Sequence, residues 1–248
     1  MKRFYLSVLF LCSFGSLFAG GPSFAFCDYS QGKVFIQENG EIVWEHKAPD
    51  SNDIWVLPNK NILFTAGKEV LEVSRKNDTI FHYTSESNIF ACQRLKNGNT
   101  FIGECDNGRL LEVSPDGSIV KDVSILPFGV KTGGHAFMRN ARCLDNGHYL
   151  VAHYGGKSVV EYDENGKAVW NIPVPGGAHS VIRLPSGNTL VAVTDKDNNP
   201  GVFEYDMAGN IVWSLTNKDL PGTLKFAGGM HYLSDGRLFL TNWVGHVD

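Results

Sequence analysis

Short apolar stretches separated by turn-forming residues recur along most of the chain. One motif, Leu-x-Asn-Gly-Asn-x-Leu in its fullest form, occurs at residues 57–63, 95–101, 144–150, 184–190 and 233–239. Its leading leucines lie 38, 49, 40 and 49 residues apart. Because glycine accepts the positive φ of tight hairpin turns, each copy predicts two short antiparallel strands.

A second kind of hairpin alternates with the first. It is rich in Val, Ile, Tyr, Phe and Trp, and it occurs at residues 34–44, 70–81, 111–120, 160–170 and 203–213. Two hairpins in about 44 residues are typical of a β-propeller blade, and no stretch shows sustained helical periodicity. We therefore predict an all-β protein, a β-propeller of four-stranded antiparallel blades.

The strands do not divide evenly into blades. With the strands of a blade labelled A to D outward from the axis, residues 23–46 supply B, C and D of an opening blade. Four full blades follow, and residues 230–243 supply A and B of one more. Two interpretations remain open: about five blades with an imperfect seam, or a sequence cut short of a sixth blade.

The N-terminus has the pattern of a secretory signal peptide. Lys2 and Arg3 precede an apolar run over residues 4–18, which is too short to span a membrane, and small residues follow. We predict a signal peptide at residues 1–21, with cleavage between 19 and 25, and a single propeller domain at residues 22–248. The protein is then exported to the periplasm, the cell surface or the medium, with no integral membrane segment in the mature chain.

Charge and cysteine content exclude some classes of function. The 22 basic and 26 acidic residues are interspersed, so the sequence shows no concentration of basic residues of the kind that binds a nucleic acid backbone. Four cysteines follow the signal peptide, Cys27, Cys92, Cys105 and Cys143, and their spacings match no zinc motif. We predict separate buried thiols, although the spacing alone leaves the disulfide state open, and we expect a monomer.

Three segments resemble a known group of propellers. Residues 162–170 and 205–213 resemble an Asp-x-x-Gly-Lys-x-x-Trp repeat, and residues 179–188 resemble a His-x-x-x-x-Leu-Pro-Asn-Gly-Asn segment. In these segments the chain is similar to exported bacterial propellers described as PQQ-like or arylsulfotransferase-like, which include a six-bladed group of unknown function. The resemblance implies the architecture and leaves the activity open. PQQ is not expected, because quinoprotein dehydrogenases have a much longer chain, calcium ligands and usually a vicinal cysteine pair.

Polar residues are predicted to gather at one face, where chains enter the A strands and leave the B strands. Alignment on the leading leucines places the following residues on or just before A strands: Asp53, Arg94, Arg139, Asn140, Arg142, His179 and His231. It places the following at the ends of B strands: Glu104, His153, Tyr154, Asn242 and Trp243. We call this predicted set the polar collar.

The polar collar suggests several chemistries. Its arginines are suited to a carboxylate or sulfate, and Tyr154 or Trp243 to stacking on a ring. His179 or His153 is a candidate general base or nucleophile. The alternative is that these residues only bind neighbouring blades and fill the channel.

We predict a binding or interaction module for a carbohydrate, a small anion or a protein. The alternative function is an enzyme of the arylsulfotransferase, polysaccharide lyase or hydrolase type, with its active site on the propeller face. The sequence identifies no cofactor and no metal site. The calcium candidate, residues 195–199, has oxygen ligands but lacks the glycine and the terminal glutamate of a calcium loop, so a solvated turn is preferred.

Overall fold

The computed structural model describes residues 23–127, 129–130, 132–194 and 200–243. Within these ranges β-strands are present and helices are not. The predicted signal peptide and the calcium candidate at residues 195–199 lie outside the described residues. The described residues divide into two compact units, an N-terminal unit of residues 23–138 with 164–166 and a C-terminal unit of residues 139–163 with 167–243.

Three antiparallel sheets form the N-terminal unit, each with its strands in chain order. The first has three strands, β1 (Phe24–Asp28), β2 (Lys33–Glu38) and β3 (Glu41–Lys47). The second has four, β4 (Ile54–Val56), β5 (Ile62–Ala66), β6 (Glu69–Val73) and β7 (Thr79–Thr84). The third also has four, β8 (Ile89–Arg94), β9 (Thr100–Glu104), β10 (Arg109–Val113) and β11 (Ile119–Ser124).

The C-terminal unit also contains three antiparallel sheets with their strands in chain order. Its first sheet comprises β12 (Asn140–Cys143), β13 (Tyr149–His153), β14 (Ser158–Tyr162) and β15 (Ala168–Pro173). Its second comprises β16 (Gly177–Arg183), β17 (Thr189–Thr194), β18 (Gly201–Tyr205) and β19 (Ile211–Leu215). Its third comprises β20 (Ala227–Tyr232) and β21 (Leu238–Asn242). The prediction of an all-β propeller of four-stranded antiparallel blades, about five in number, is confirmed: four sheets have four strands, and the first and last sheets of the chain contribute three and two strands.

The Leu-x-Asn-Gly-Asn-x-Leu copies form the turns between the first two strands of the sheets. In one copy the Leu95 amide donates to the Asn99 carbonyl at 2.8 Å, and Gly98 takes a φ of 91°. Lys60 takes a φ of 70° in the copy that lacks glycine. The predicted hairpins therefore have the positive φ that their tight turns require, which glycine adopts without strain.

Buried apolar side chains join consecutive sheets within each unit. In the N-terminal unit they include Val34, Trp44, Ile62 and Phe64 in one cluster, and Leu63, Ile89, Ile102 and Leu111 in another. In the C-terminal unit they include Leu150, Val159, Val181 and Val191 in one cluster, and Leu190, Val202 and Leu238 in another. Each sheet is thus stabilised mainly by burial against its neighbour in sequence.

A polar contact accompanies this packing at the first strand of a sheet. Asp53 Oδ2 accepts a hydrogen bond from the backbone amide of Cys92, on the next sheet, at 3.0 Å. Asn140 Oδ1 accepts one from the amide of Val181 at 3.4 Å. Both acceptors stand four residues before a leading leucine. Since β8 and β16 are edge strands, these side chains bond amides that face away from the ladder of their own sheet.

The four described cysteines are free thiols. Cys92 and Cys105 are buried, as predicted, and Cys27 and Cys143 are partly buried. Burial raises the pKa of Cys27 to about 12, although Ser51 Oγ, which donates to its sulfur at 3.1 Å, acts in the opposite direction. The thiol of Cys27 therefore stays protonated at neutral pH.

No helix among the described residues is long and apolar enough to cross a membrane.

Candidate functional site

The polar collar residues of the N-terminal unit are engaged in separate internal networks. Asp53 is buried and bonds Cys92, as described above. Arg94 Nη2 donates to Glu72 Oε2 at 2.6 Å, and its Nη1 donates to the Gly98 carbonyl at 2.7 Å. The Arg94 guanidinium also lies over the Phe81 ring, 5.3 Å from its centroid. Asp53 and Arg94 therefore each link two neighbouring sheets.

Glu104 lies in a third network at the end of β9. Its side chain is buried and accepts hydrogen bonds from Ser85 Oγ at 2.6 Å and from Asn107 Nδ2 at 3.2 Å. Arg109 Nε lies 3.4 Å from the same carboxylate. Asp53 thus lies just before the first strand of its sheet, Arg94 on a first strand and Glu104 at the end of a second strand, and each side chain binds its own set of partners.

A cavity of about 300 Å³ opens beside Arg94. It is lined by Leu57, Pro58, Asn59, Glu72, Arg94 and Gly98. Its two charged groups are already paired, and Glu72 also accepts hydrogen bonds from Asn59 and Asn61. The polar side chains that line this cavity therefore stabilise the turn at residues 57–63 and the contact between the second and third sheets.

The C-terminal unit brings Arg139 and His179 together. Arg139 Nε donates to His179 Nε2 at 3.1 Å. Because the arginine nitrogen can only donate, Nε2 must carry a lone pair, and the imidazole in this contact is neutral with its proton on Nδ1. Both residues stand five positions before a leading leucine, so neighbouring repeats place them at the same level.

Three aromatic rings continue from this pair. Tyr154 and Phe226 both contact His179 edge-to-face, with ring centroids 6.4 and 5.1 Å away. Trp243 in turn meets Phe226 edge-to-face at 5.2 Å, and this residue is 55% exposed. Edge-to-face contacts at these distances are favourable between aromatic rings. We call Arg139, Tyr154, His179, Phe226 and Trp243 the Arg139 cluster.

Two residues outside the Arg139 cluster position its rings. A Cβ on Gly177 would lie 2.5 Å from Cε2 of Tyr154, so only glycine leaves room for the tyrosine ring there. Asn242 Oδ1 accepts hydrogen bonds from the amides of Lys225 and Phe226, at 2.9 and 3.2 Å. Asn242 therefore holds the chain before β20 and sets Phe226 against His179.

His153 lies in a different environment from His179. It is buried, and its Nε2 lies 2.8 Å from the Tyr162 hydroxyl, on the neighbouring strand of the same sheet. Burial raises the pKa of Tyr162 to about 12, so its hydroxyl stays protonated at neutral pH. The two histidines predicted as candidate bases therefore contact different side chains, an arginine for His179 and a tyrosine for His153.

Arg142 and His231 occupy equivalent positions, two residues before a leading leucine, on β12 and β20. Arg142 Nη1 donates to the Ala141 carbonyl at 2.9 Å. Partial desolvation, and then the positive charge of Arg142, lower the pKa of His231. His231 is therefore mostly neutral at pH 7, although it is exposed.

Among the described residues, no group of three His, Cys, Asp or Glu side chains is arranged to hold a metal ion.

No protein-family model and no curated protein matches the chain. Solved structures do. A protein of unknown function from Bacteroides caccae is 24% identical, with a TM-score of 0.79 over 90% of this chain and 83% of that one. A streptogramin B lyase is 16% identical, with a TM-score of 0.65 over 89% of this chain and 73% of that one.

A virginiamycin B lyase from Staphylococcus aureus is 14% identical, with a TM-score of 0.62 over 91% of this chain and 79% of that one. That structure is of a catalytically inactive histidine-to-alanine variant with quinupristin. At such identities the similarity shows a shared fold and does not extend to function. The resemblance to PQQ-like and arylsulfotransferase-like propellers stays a prediction, because no family model matches the chain. The chain is similar in fold to the Bacteroides caccae protein and to the two lyases, and it is not assigned to a family.

Proposed function

We propose that the protein is a binding module and that its ligand is a saccharide carrying a carboxylate, bound at the Arg139 cluster. The observation that carries the proposal is the exposed indole of Trp243. It stands at the end of a row of edge-to-face rings that leads through Phe226 to His179 and Arg139. Small anions and proteins are the two alternative ligand classes that the polar side chains of the Arg139 cluster could bind.

The row of rings favours a ligand with an apolar face. An indole that is more than half exposed offers a large flat surface, and its contact with Phe226 restricts its orientation before a ligand arrives. Such pre-organisation lowers the entropy cost of binding. The pyranose ring, with one face formed by C–H groups, matches this surface.

The Arg139–His179 contact favours a negative group on the ligand. Because His179 is neutral in this contact, the pair carries the positive charge of Arg139. Arginine is the side chain best suited to hold a carboxylate or a sulfate through parallel N–H donors. An acidic sugar would place its ring on Trp243 and its carboxylate towards Arg139.

Replacing Trp243 by alanine is expected to weaken binding of an acidic oligosaccharide about tenfold, since one aromatic contact contributes on the order of 1.5 kcal/mol. Isothermal titration of the purified chain with oligogalacturonides measures the change. Ile211→Ala is the matched control, because Ile211 is 53% exposed on β19, away from the Arg139 cluster. Equal affinities of the two variants would contradict the proposal.

A lyase activity is the second candidate, and the similarity to streptogramin B and virginiamycin B lyases favours testing it. His179 is the candidate base in the Arg139 cluster, but its Nε2 already accepts a hydrogen bond from Arg139 Nε. A base at this atom would first have to lose that hydrogen bond. We therefore expect the purified chain to leave quinupristin intact, as followed by mass spectrometry. Turnover that disappears in His179→Ala and persists in Ile211→Ala would replace the binding proposal by an enzymatic one.

A further inference from the structure

A second pair of rings lies in the N-terminal unit. Phe90, on β8, and His135 meet edge-to-face, with centroids 5.6 Å apart and planes at 85°. Phe90 stands five residues before a leading leucine, the repeat position that Arg139 and His179 also occupy. Phe90 is half-buried and His135 is exposed.

His135 belongs to one of the two longest connections between sheets. Where leading leucines lie 49 residues apart, the chain adds residues between the last strand of one sheet and the first strand of the next. The other long connection carries Phe226, which meets His179 at 5.1 Å and 84°. Both connections therefore set a ring edge-on against the same repeat position of the preceding sheet.

Asp106 fixes both segments that carry the second pair. Its Oδ2 accepts hydrogen bonds from the backbone amide and from the side-chain amide of Asn88, each at 2.9 Å. Its backbone carbonyl accepts from the Gly133 amide at 2.7 Å and from Thr132 Oγ1 at 3.1 Å. One residue thus holds the chain two positions before Phe90 and two positions before His135.

Close packing of the connection supports the same placement. A Cβ on Gly133 would lie 2.6 Å from the Cys105 carbonyl oxygen and 2.7 Å from Cδ1 of Phe137. The connection is therefore pressed against the end of β9, yet it leaves the imidazole of His135 exposed. Ordering a chain segment costs conformational entropy. An exposed side chain offsets little of this cost, because it buries little apolar surface. A ligand-binding role accounts for a ring held in this way.

We propose that Phe90 and His135 form a further saccharide-binding subsite, on the N-terminal unit. The apolar face of a sugar ring packs on the pair, and an imidazole N–H donates to a hydroxyl or carboxylate of the sugar. The class of ligand rests on the proposed function, whereas the subsite itself does not require the Arg139 cluster.

Nuclear magnetic resonance of the full chain with ¹³C-labelled histidine rings tests the subsite directly. The probe is D-glucuronic acid at millimolar concentrations, and the His135 signal is identified by its loss in His135→Ala. The signal is expected to shift saturably in the wild-type chain and also in Trp243→Ala. Phe90→Leu is expected to weaken this response about fivefold, because the aromatic contact is lost and an apolar side chain remains.

His82 provides the internal control, because it is also exposed in the N-terminal unit but lies on β7 beside Glu69. A His82 signal that moves as much as that of His135 would show non-specific binding and overturn the subsite. A silent His135 signal, with Trp243-dependent oligosaccharide binding intact, would overturn the subsite and leave the proposed function standing. A shifting His135 signal without Trp243-dependent binding would support the subsite and contradict the proposed function.

Discussion

Replacing Glu161 by alanine is expected to lower the free energy of unfolding by about 3–5 kcal/mol, because it leaves a mostly buried charge without its partner. Glu161 Oε2 accepts from Arg183 Nη2 at 2.6 Å, and Oε1 lies 2.7 Å from His148 Nδ1. The Arg183 and Glu161 side chains are only 14% and 10% exposed. Desolvation lowers the pKa of Arg183, and Glu161 opposes that effect. Urea unfolding of the full chain measures the loss.

Glu204 offers a matched control for this substitution. Both glutamates stand just before the register shift between the third and fourth strands of their own sheets. Glu204 Oε1 accepts a hydrogen bond from Asn188 Nδ2 at 2.7 Å. Because its hydrogen-bond partner is a neutral amide, Glu204→Ala is expected to cost only about 1 kcal/mol. Similar losses in the two variants would show that the buried ion pair contributes nothing beyond a hydrogen bond.

The second large effect concerns two tyrosines of the C-terminal unit at alkaline pH. Burial raises the pKa of both Tyr162 and Tyr205 from 10.0 to about 12. Because both phenols ionise at a lower pH in the unfolded chain than in the folded one, their titration leaves the stability unchanged below pH 10 and lowers it as the pH rises from 10 to 12. A full rise of this size corresponds to at most about 2.7 kcal/mol per group, and less for Tyr162, which is partly exposed. We expect Tyr205→Phe and Tyr162→Phe each to lose less stability than the wild type over this range.

At neutral pH the same two substitutions are expected to have opposite signs. The Tyr205 hydroxyl is buried and forms no hydrogen bond with a described residue. Its removal should therefore stabilise the chain by about 1 kcal/mol. The Tyr162 hydroxyl is bonded to His153 at 2.8 Å, so Tyr162→Phe should destabilise it by about 1 kcal/mol. Urea midpoints measured from about pH 7 to about pH 12 test both the signs and the alkaline slope; parallel curves for all three chains would contradict the burial argument.

The strands could be predicted because their signal is local. Asn97-Gly98 and Asn146-Gly147 each specify a turn through the backbone freedom of glycine, and the apolar residues on either side need only their immediate neighbours to form a hairpin. The same information recurs in every repeat. Fold class and strand positions therefore follow from the sequence.

The candidate site could be predicted only in part, because contacts between sheets decide which polar groups pair. Arg94 and Arg139 were both placed at the first strands by the repeat alignment. Arg94 meets Glu72, whereas Arg139 meets His179, and nothing in the local sequence of either arginine distinguishes the two outcomes. Partners of this kind lie 22 and 40 residues away in the sequence.

Phe226 and Gly177 were missed for a different reason. Phe226 lies in a connection that has no counterpart in the shorter repeats, so alignment on the leucines could not place it. The leucine spacing of 49 residues was the available signal that such a connection exists. Gly177 is needed for the space it leaves to Tyr154 and has no positive φ, so no turn motif reveals it.

The Asp53 and Asn140 contacts have a consequence for how such a chain can change during evolution. Each acceptor belongs to one sheet and bonds an edge amide of the next. A duplicate of either of these two repeats would bring its own acceptor and also present its own amide to the repeat before it. Gain of such a repeat by gene duplication would therefore preserve these hydrogen bonds without any further substitution, whereas the repeats that carry Ala91 or Gly229 at this position offer no such acceptor.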